Sequence, residues 1–133
     1  MNKWLFSLLL ATTALMADYT AQPIDQKLLA SKIKIIDIRT PSEWKMTGLV
    51  KGSIPIMFFD EYGNYNLEAF LGELNKKIPQ RERFAIICNS GSRSKMLGTH
   101  LGEKMGYNVI DLSGGIQYAI AKKIPLEPYK PKP

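Results

Sequence analysis

The chain is predicted to fold as α/β, a parallel sheet with helices packed on both faces. Three observations lead to this class. Short apolar runs rich in β-branched residues alternate with segments whose apolar residues recur at helical spacing. The links between them are brief, as in successive strand–helix–strand units. With 133 residues, the chain has room for one such domain.

The first segment stands apart from that pattern. Lys3 precedes the apolar run Trp4-Leu5-Phe6-Ser7-Leu8-Leu9-Leu10, followed by the small residues Ala11-Thr12-Thr13-Ala14. A charged start, an apolar centre and a small-residue end make a secretory signal, expected over residues 1–17 with cleavage after Ala17 or Ala14. A retained anchor is the alternative, but the run falls short of the ~20 residues a spanning helix needs. The protein is therefore expected to be exported, and periplasmic in a Gram-negative source. No stable membrane association is expected once the leader is removed.

The domain is expected over residues 18–126. Residues 18–23 read as an irregular lead-in, and Ile24, Leu28 and Leu29 give one or two helical turns. Residues 33–38, Ile-Lys-Ile-Ile-Asp-Ile, are a central strand. Pro41 at a first helical position, with Glu43 after it, opens a short helix through about Met46. Gly48 and Gly52 punctuate the approach to a second strand at 53–56, and residues 58–66 form a loop. Leu67, Phe70, Leu71, Leu74 and Ile78 then form a helical stripe that Asn66 caps and Pro79 ends. Residues 80–83 turn into the strand at 85–87. Leu97, Leu101 and Met105 mark a helix from Ser94 that Gly106 stops. Residues 109–112 are the last strand and 116–122 the last helix. Pro125, Pro128, Pro131 and Pro133 make the end of the chain, residues 127–133, an extended tail not expected to form regular structure.

Composition narrows the function. The net charge is +6, but Lys and Arg are scattered with no aromatic-and-basic motif, so nucleic acid is not an expected partner. The basic excess instead favours small anions. The sequence holds one cysteine and one histidine, which excludes an intramolecular disulfide and gives no metal-ligand cluster. His100 lies off the apolar stripe and reads as a surface residue.

The single cysteine sits where the apolar strand gives way to a polar, glycine-containing turn: Ile86-Ile87-Cys88-Asn89-Ser90-Gly91-Ser92-Arg93-Ser94. Open parallel sheets bind ligands where their strands end. Between strand and helix the backbone must turn sharply, and its N–H groups can converge on a small anion. Thiols at helix starts beside cations ionise below their usual ~8.5, and the thiolate is the nucleophile. Cys88 is thus the candidate nucleophile, against the plainer reading of a small hydrophobe ending a core strand. Asp37 and Arg39 lie two apart and share a face, either as a polar network supporting the loop or as a solvent-facing pair.

Cys88-x4-Arg93-Ser94 resembles the active-site loop of rhodanese-domain sulfurtransferases. Three further segments resemble that family in the same order. They are Ile36-Asp37-Ile38-Arg39-Thr40-Pro41-Ser42-Glu43-Trp44, then Gly48-Leu49-Val50-Lys51-Gly52-Ser53-Ile54, then Gly106-Tyr107-Asn108-Val109 through Leu112-Ser113-Gly114-Gly115-Ile116. The likeness spans about residues 24–126. It departs where the family often has histidine and proline, here Leu49 and Lys51, and in lacking a tryptophan near Tyr118 and Ala119.

The resemblance implies a fold and a reaction. A Cys88 thiolate would take the outer sulfur of a donor such as thiosulfate and pass it, as a persulfide, to a thiophilic acceptor: a small thiol, cyanide or a protein thiol. No cofactor beyond that covalent sulfur is expected. Asn89, Ser90, Gly91, Ser92, Arg93 and Ser94 would bind the donor, largely through backbone N–H groups, with Asp37 and Arg39 in support. Arg93 is expected to brace the loop or to share that duty with holding the donor. Glu43 and Trp44 read as surface and packing residues. Gly114-Gly115 reads as a tight turn into the last helix. A persulfide carrier or sensor without turnover, or an interaction module, is the alternative from another class. A phosphatase or arsenate reductase fits less well, since those loops place five residues between cysteine and arginine rather than four.

Overall fold

The computed structural model describes residues 18–79 and 81–131. The leader expected at residues 1–17 lies outside them. The elements are β1 (Tyr19–Gln22), α1 (Gln26–Ala30), β2 (Lys34–Asp37), α2 (Pro41–Thr47), β3 (Leu49–Val50), β4 (Ile54–Pro55), α3 (Leu67–Lys77), β5 (Phe84–Ile87), α4 (Ser92–Met105), β6 (Val109–Leu112), α5 (Gly115–Ala121) and β7 (Leu126–Glu127). Five strands form one parallel sheet in the order β1-β6-β5-β2-β4, so β5 lies at its centre. This is the α/β class read from the sequence.

Every residue of β5 and β6 is buried, because helices cover both faces. Alternate side chains serve opposite layers. Ile36, Phe84, Ile86 and Val109 pack with Phe70 and Leu74 of α3 and Leu97 and Leu101 of α4. Ile35, Ala85, Ile87 and Ile110 pack with Leu28 of α1 and Ile116 and Ala119 of α5. Local caps fix where the helices begin. Asn66 Oδ1 accepts the Ala69 N–H at 3.0 Å. Thr40 and Glu43 form a capping box around Pro41, satisfying two N–H groups that the first turn leaves open.

Two segments depart from the sequence reading. Residues 19–22 form strand β1, pairing with β6 from Tyr19↔Val109 to Gln22↔Leu112, rather than an irregular lead-in. The strand is stabilised by contacts remote in sequence. Gly98 and Gly102 of α4 leave room for Tyr19: a Cβ would lie 2.9 Å from its ring at Gly98 and 2.8 Å from its Cβ at Gly102. The tail is likewise seated on the domain. Leu126 and Glu127 pair antiparallel with Val50 and Leu49, and the Tyr129 ring lies 5.2 Å from that of Trp44. Between Pro125 and Pro128 the chain forms only this two-residue edge ladder.

Candidate active site

Cys88 follows the last residue of the central strand, at the carboxyl edge of the sheet. Its carbonyl accepts the Ile116 N–H at 2.8 Å, and the Asn89 carbonyl accepts the Gln117 N–H at 3.1 Å. The start of α5 therefore grips the loop from behind. Gly115 makes this possible: its φ is +58°, and a Cβ there would collide with the carbonyls of Cys88 and Asn89.

The start of α4 faces the sulfur. Gly91, in the left-handed conformation, precedes the helix and provides no side-chain cap. Cys88 Sγ takes that place, accepting the Gly91 N–H at 3.1 Å and the Ser94 N–H at 3.4 Å. Two preformed donors and the positive end of a 14-residue helix thus converge on one atom. Of the loop's backbone N–H groups, those of Gly91 and Ser94 meet the sulfur.

The other loop side chains turn elsewhere. Asn89 Oδ1 accepts from Gln117 Nε2 at 2.9 Å, while Ser90 and Ser92 are exposed. Arg93 reaches across to Glu43, donating from Nη1 and Nη2 to its two oxygens at 2.8 and 2.7 Å. This ion pair holds the Glu43 carboxyl below its ordinary range and pushes the guanidinium further up. Of the two duties weighed for Arg93, the geometry shows bracing. Glu43, read as a surface residue, is its partner.

Asp37 and Arg39 form the polar network, both fully buried. Arg39 donates to Asp37 from Nη2 at 2.8 Å and from Nε at 3.0 Å, and reaches Thr47 Oγ1 and the Gly48 carbonyl at 2.9 Å each. Trp44 Nε1 donates to Asp37 Oδ1 at 3.0 Å. The network therefore ties down the middle and the C-terminal end of α2, the helix that carries Glu43. It supports the Cys88 loop at one remove, through Glu43 and Arg93. His100 is exposed.

Two features escaped the sequence reading. Ser94 Oγ donates to Asp111 Oδ1 at 2.6 Å, and Tyr19 Oη donates to Asp111 Oδ2 at 2.7 Å. Burial, then the Asp111 bond, pushes the Tyr19 phenol up to about 12. A lone acidic residue in an apolar strand, Val-Ile-Asp-Leu, was the available signal. The second concerns access. Cys88 has 0% exposure, whereas reactive thiols are usually part-exposed. An open cleft of about 600 Å³ is bordered by Glu43, Arg93 and Met96, and Cys88 is not part of its lining.

Comparison with known proteins agrees with this architecture. The family model for the Rhodanese-like domain matches residues 17–121. Senescence-associated protein DIN1 of Raphanus sativus is 26% identical over 105 residues, 78% of this chain and 57% of that protein. The chain thus spans little more than half the length of that relative. A rhodanese-related protein from Thermoplasma volcanium superposes with a TM-score of 0.60 at 24% identity, covering 83% of this chain and 98% of that one. A Rhodopseudomonas palustris protein described as a possible tyrosine phosphatase gives 0.54 at 23%, covering 76% and 75%. At these identities the two structures speak to fold alone. With most of its length matched, and a cysteine loop at the end of the central parallel strand, this chain belongs to the rhodanese-like domain family.

Proposed function

We propose that the protein is a sulfurtransferase that carries a sulfane sulfur on Cys88. The single observation behind this reading is the Cys88 sulfur itself, the chain's one thiol, held as the cap of α4 by two N–H donors. The thiolate attacks the outer sulfur of a donor such as thiosulfate; the new S–S bond forms as the donor's own breaks, and sulfite departs with that electron pair. The persulfide then yields its outer sulfur to a small thiol, cyanide or a protein thiol, regenerating the thiolate. Preformed donors stabilise charge on sulfur without reorganising as it moves. Four residues between Cys88 and Arg93 make a tighter ring than the five of phosphatase loops, which favours sulfur over phosphate. Within this proposal the chain acts after export, its leader spanning residues 1–17.

Full burial of Cys88 favours a second reading, a persulfide carrier with little turnover. A donor can meet the sulfur only when the loop opens locally.

Intact mass measurement after thiosulfate treatment tests the first reading. One sulfur atom is gained, a reducing thiol removes it, and Cys88→Ser never gains it. A wild-type protein that gains no sulfur from thiosulfate or from a low-molecular-weight persulfide refutes the assignment. Comparing single-turnover loading with steady-state transfer to cyanide separates enzyme from carrier.

A further inference from the structure

Asp111 is a buried carboxylate, 3% exposed, that the reaction above does not use. None of the four ion pairs among the described residues includes it. Its oxygens are instead the end point of a chain of hydroxyl donors leading to the nucleophile. The Cys88 thiol donates to Ser94 Oγ at 3.4 Å, and Ser94 Oγ donates to Asp111 Oδ1 at 2.6 Å. Tyr19 Oη approaches the other oxygen at 2.7 Å. The Ser94 hydroxyl has one proton to give, and the carboxylate at 2.6 Å outcompetes the Gly91 carbonyl at 3.2 Å. Ser94 therefore turns a lone pair toward Cys88 Sγ.

This arrangement raises a charge problem. With Asp111 ionised, ionising Cys88 as well would place two negative charges in one buried cluster. The Gly91 and Ser94 N–H groups offset charge on the sulfur, while Asp111 is met by two neutral hydroxyls. Ser94 and Glu103 face the cluster from α4 and Tyr19 from β1, while the nearby cation, Arg93, is engaged by Glu43. A single proton held between the two acids removes the conflict.

We infer that Asp111 is a positioning residue that takes the Cys88 proton through Ser94, so that thiolate and carboxylate are never charged together during sulfur loading. The thiol proton passes to Ser94 Oγ as the Ser94 proton passes to Asp111 Oδ1. The S–H electron pair becomes the attacking pair, and Asp111 becomes a neutral acid. After the outer sulfur has gone to the acceptor, the regenerated thiolate recovers its proton by the reverse path. No other reactant is consumed. The inference rests on Cys88 being the sulfur-carrying nucleophile.

Because Cys88 is the sole cysteine, its alkylation by iodoacetamide reports that one site. Thiolate formed from bulk water falls tenfold for each pH unit below its midpoint. Thiolate formed by internal transfer does not depend on bulk protons. The wild-type alkylation rate should therefore level off to a plateau at mildly acid pH. Asp111→Asn, which keeps a hydrogen-bond acceptor for Ser94 but cannot take the proton, should restore the tenfold-per-unit fall. Tyr19→Phe removes one donor, makes the carboxylate a better proton acceptor, and should raise the plateau at least threefold. A wild-type rate that falls tenfold per unit throughout, or a plateau that survives in folded Asp111→Asn, overturns the inference. If Asp111→Asn does not fold, the wild-type plateau and its rise in Tyr19→Phe still decide. Alkylation needs no sulfur donor, so a plateau in a protein that gains no sulfur would reject the sulfurtransferase reading and keep the shared proton.

Discussion

The Arg93–Glu43 pair offers a decisive test of how the loop is built. Both side chains are about a quarter exposed, 26% and 28%, and the contact is two-pronged at 2.8 and 2.7 Å. A hydrogen bond to a charged group contributes about 1.5–3 kcal/mol when well shielded, against ~0.2–1 kcal/mol for an exposed pair. The intermediate exposure places the coupling at about 1–2 kcal/mol, or roughly 4–10 °C in Tm for a domain of this size. A double-mutant cycle of Glu43→Gln and Arg93→Ala, read by thermal unfolding and by the rate of sulfur loading, measures it. The pH dependence has a definite sign. Arg93 holds the Glu43 carboxyl below its ordinary 4.5, so the stabilisation is complete above about pH 4.5. It is lost as pH falls through the depressed value, and Glu43→Gln lacks that acid-side loss. If Arg93 braces the loop, both single variants slow loading. If it binds the donor directly, Glu43→Gln frees the guanidinium and tightens thiosulfate binding while Arg93→Ala weakens it. Opposite signs, or a coupling under about 0.3 kcal/mol, refute the bracing role.

Three further perturbations probe the scaffold. Asp37→Ala strands the fully buried Arg39 and removes the Trp44 partner, a loss of about 3–5 kcal/mol measurable by urea unfolding; a change under 1 kcal/mol would contradict the clamp. Gly115→Ala meets a left-handed backbone and two carbonyls, and should destabilise by at least about 2 kcal/mol. Gly72→Ala in α3, with nothing within 4 Å of the added methyl, should instead stabilise by about 0.5–1 kcal/mol.

The local signals in the sequence held well. The stripe from Leu67 to Ile78, capped by Asn66, is α3, and the apolar run before Cys88 is the central strand β5. Periodicity, caps and turn residues act between near neighbours, so they can be read without knowing the fold. The same holds for Cys88, whose strand-end position and following glycine lie within a few residues of it.

Strands β1 and β7 went unread because Tyr-Thr-Ala-Gln and Leu-Glu lack the apolar, β-branched run that marked β2, β5 and β6. They form only because β6 and β3 present open edges to them.

The chain order alone determined an α/β domain with its one thiol at the end of an inner strand. Tertiary structure decided what surrounds that thiol. Arg93 meets a carboxylate 50 residues away, and Asp111 meets a phenol 92 residues away. Side-chain pairing over such separations depends on sheet order and register, which no local pattern encodes. The same packing closed the sulfur off from solvent, because burial is a property of the assembled layers and not of the segment that supplies the cysteine.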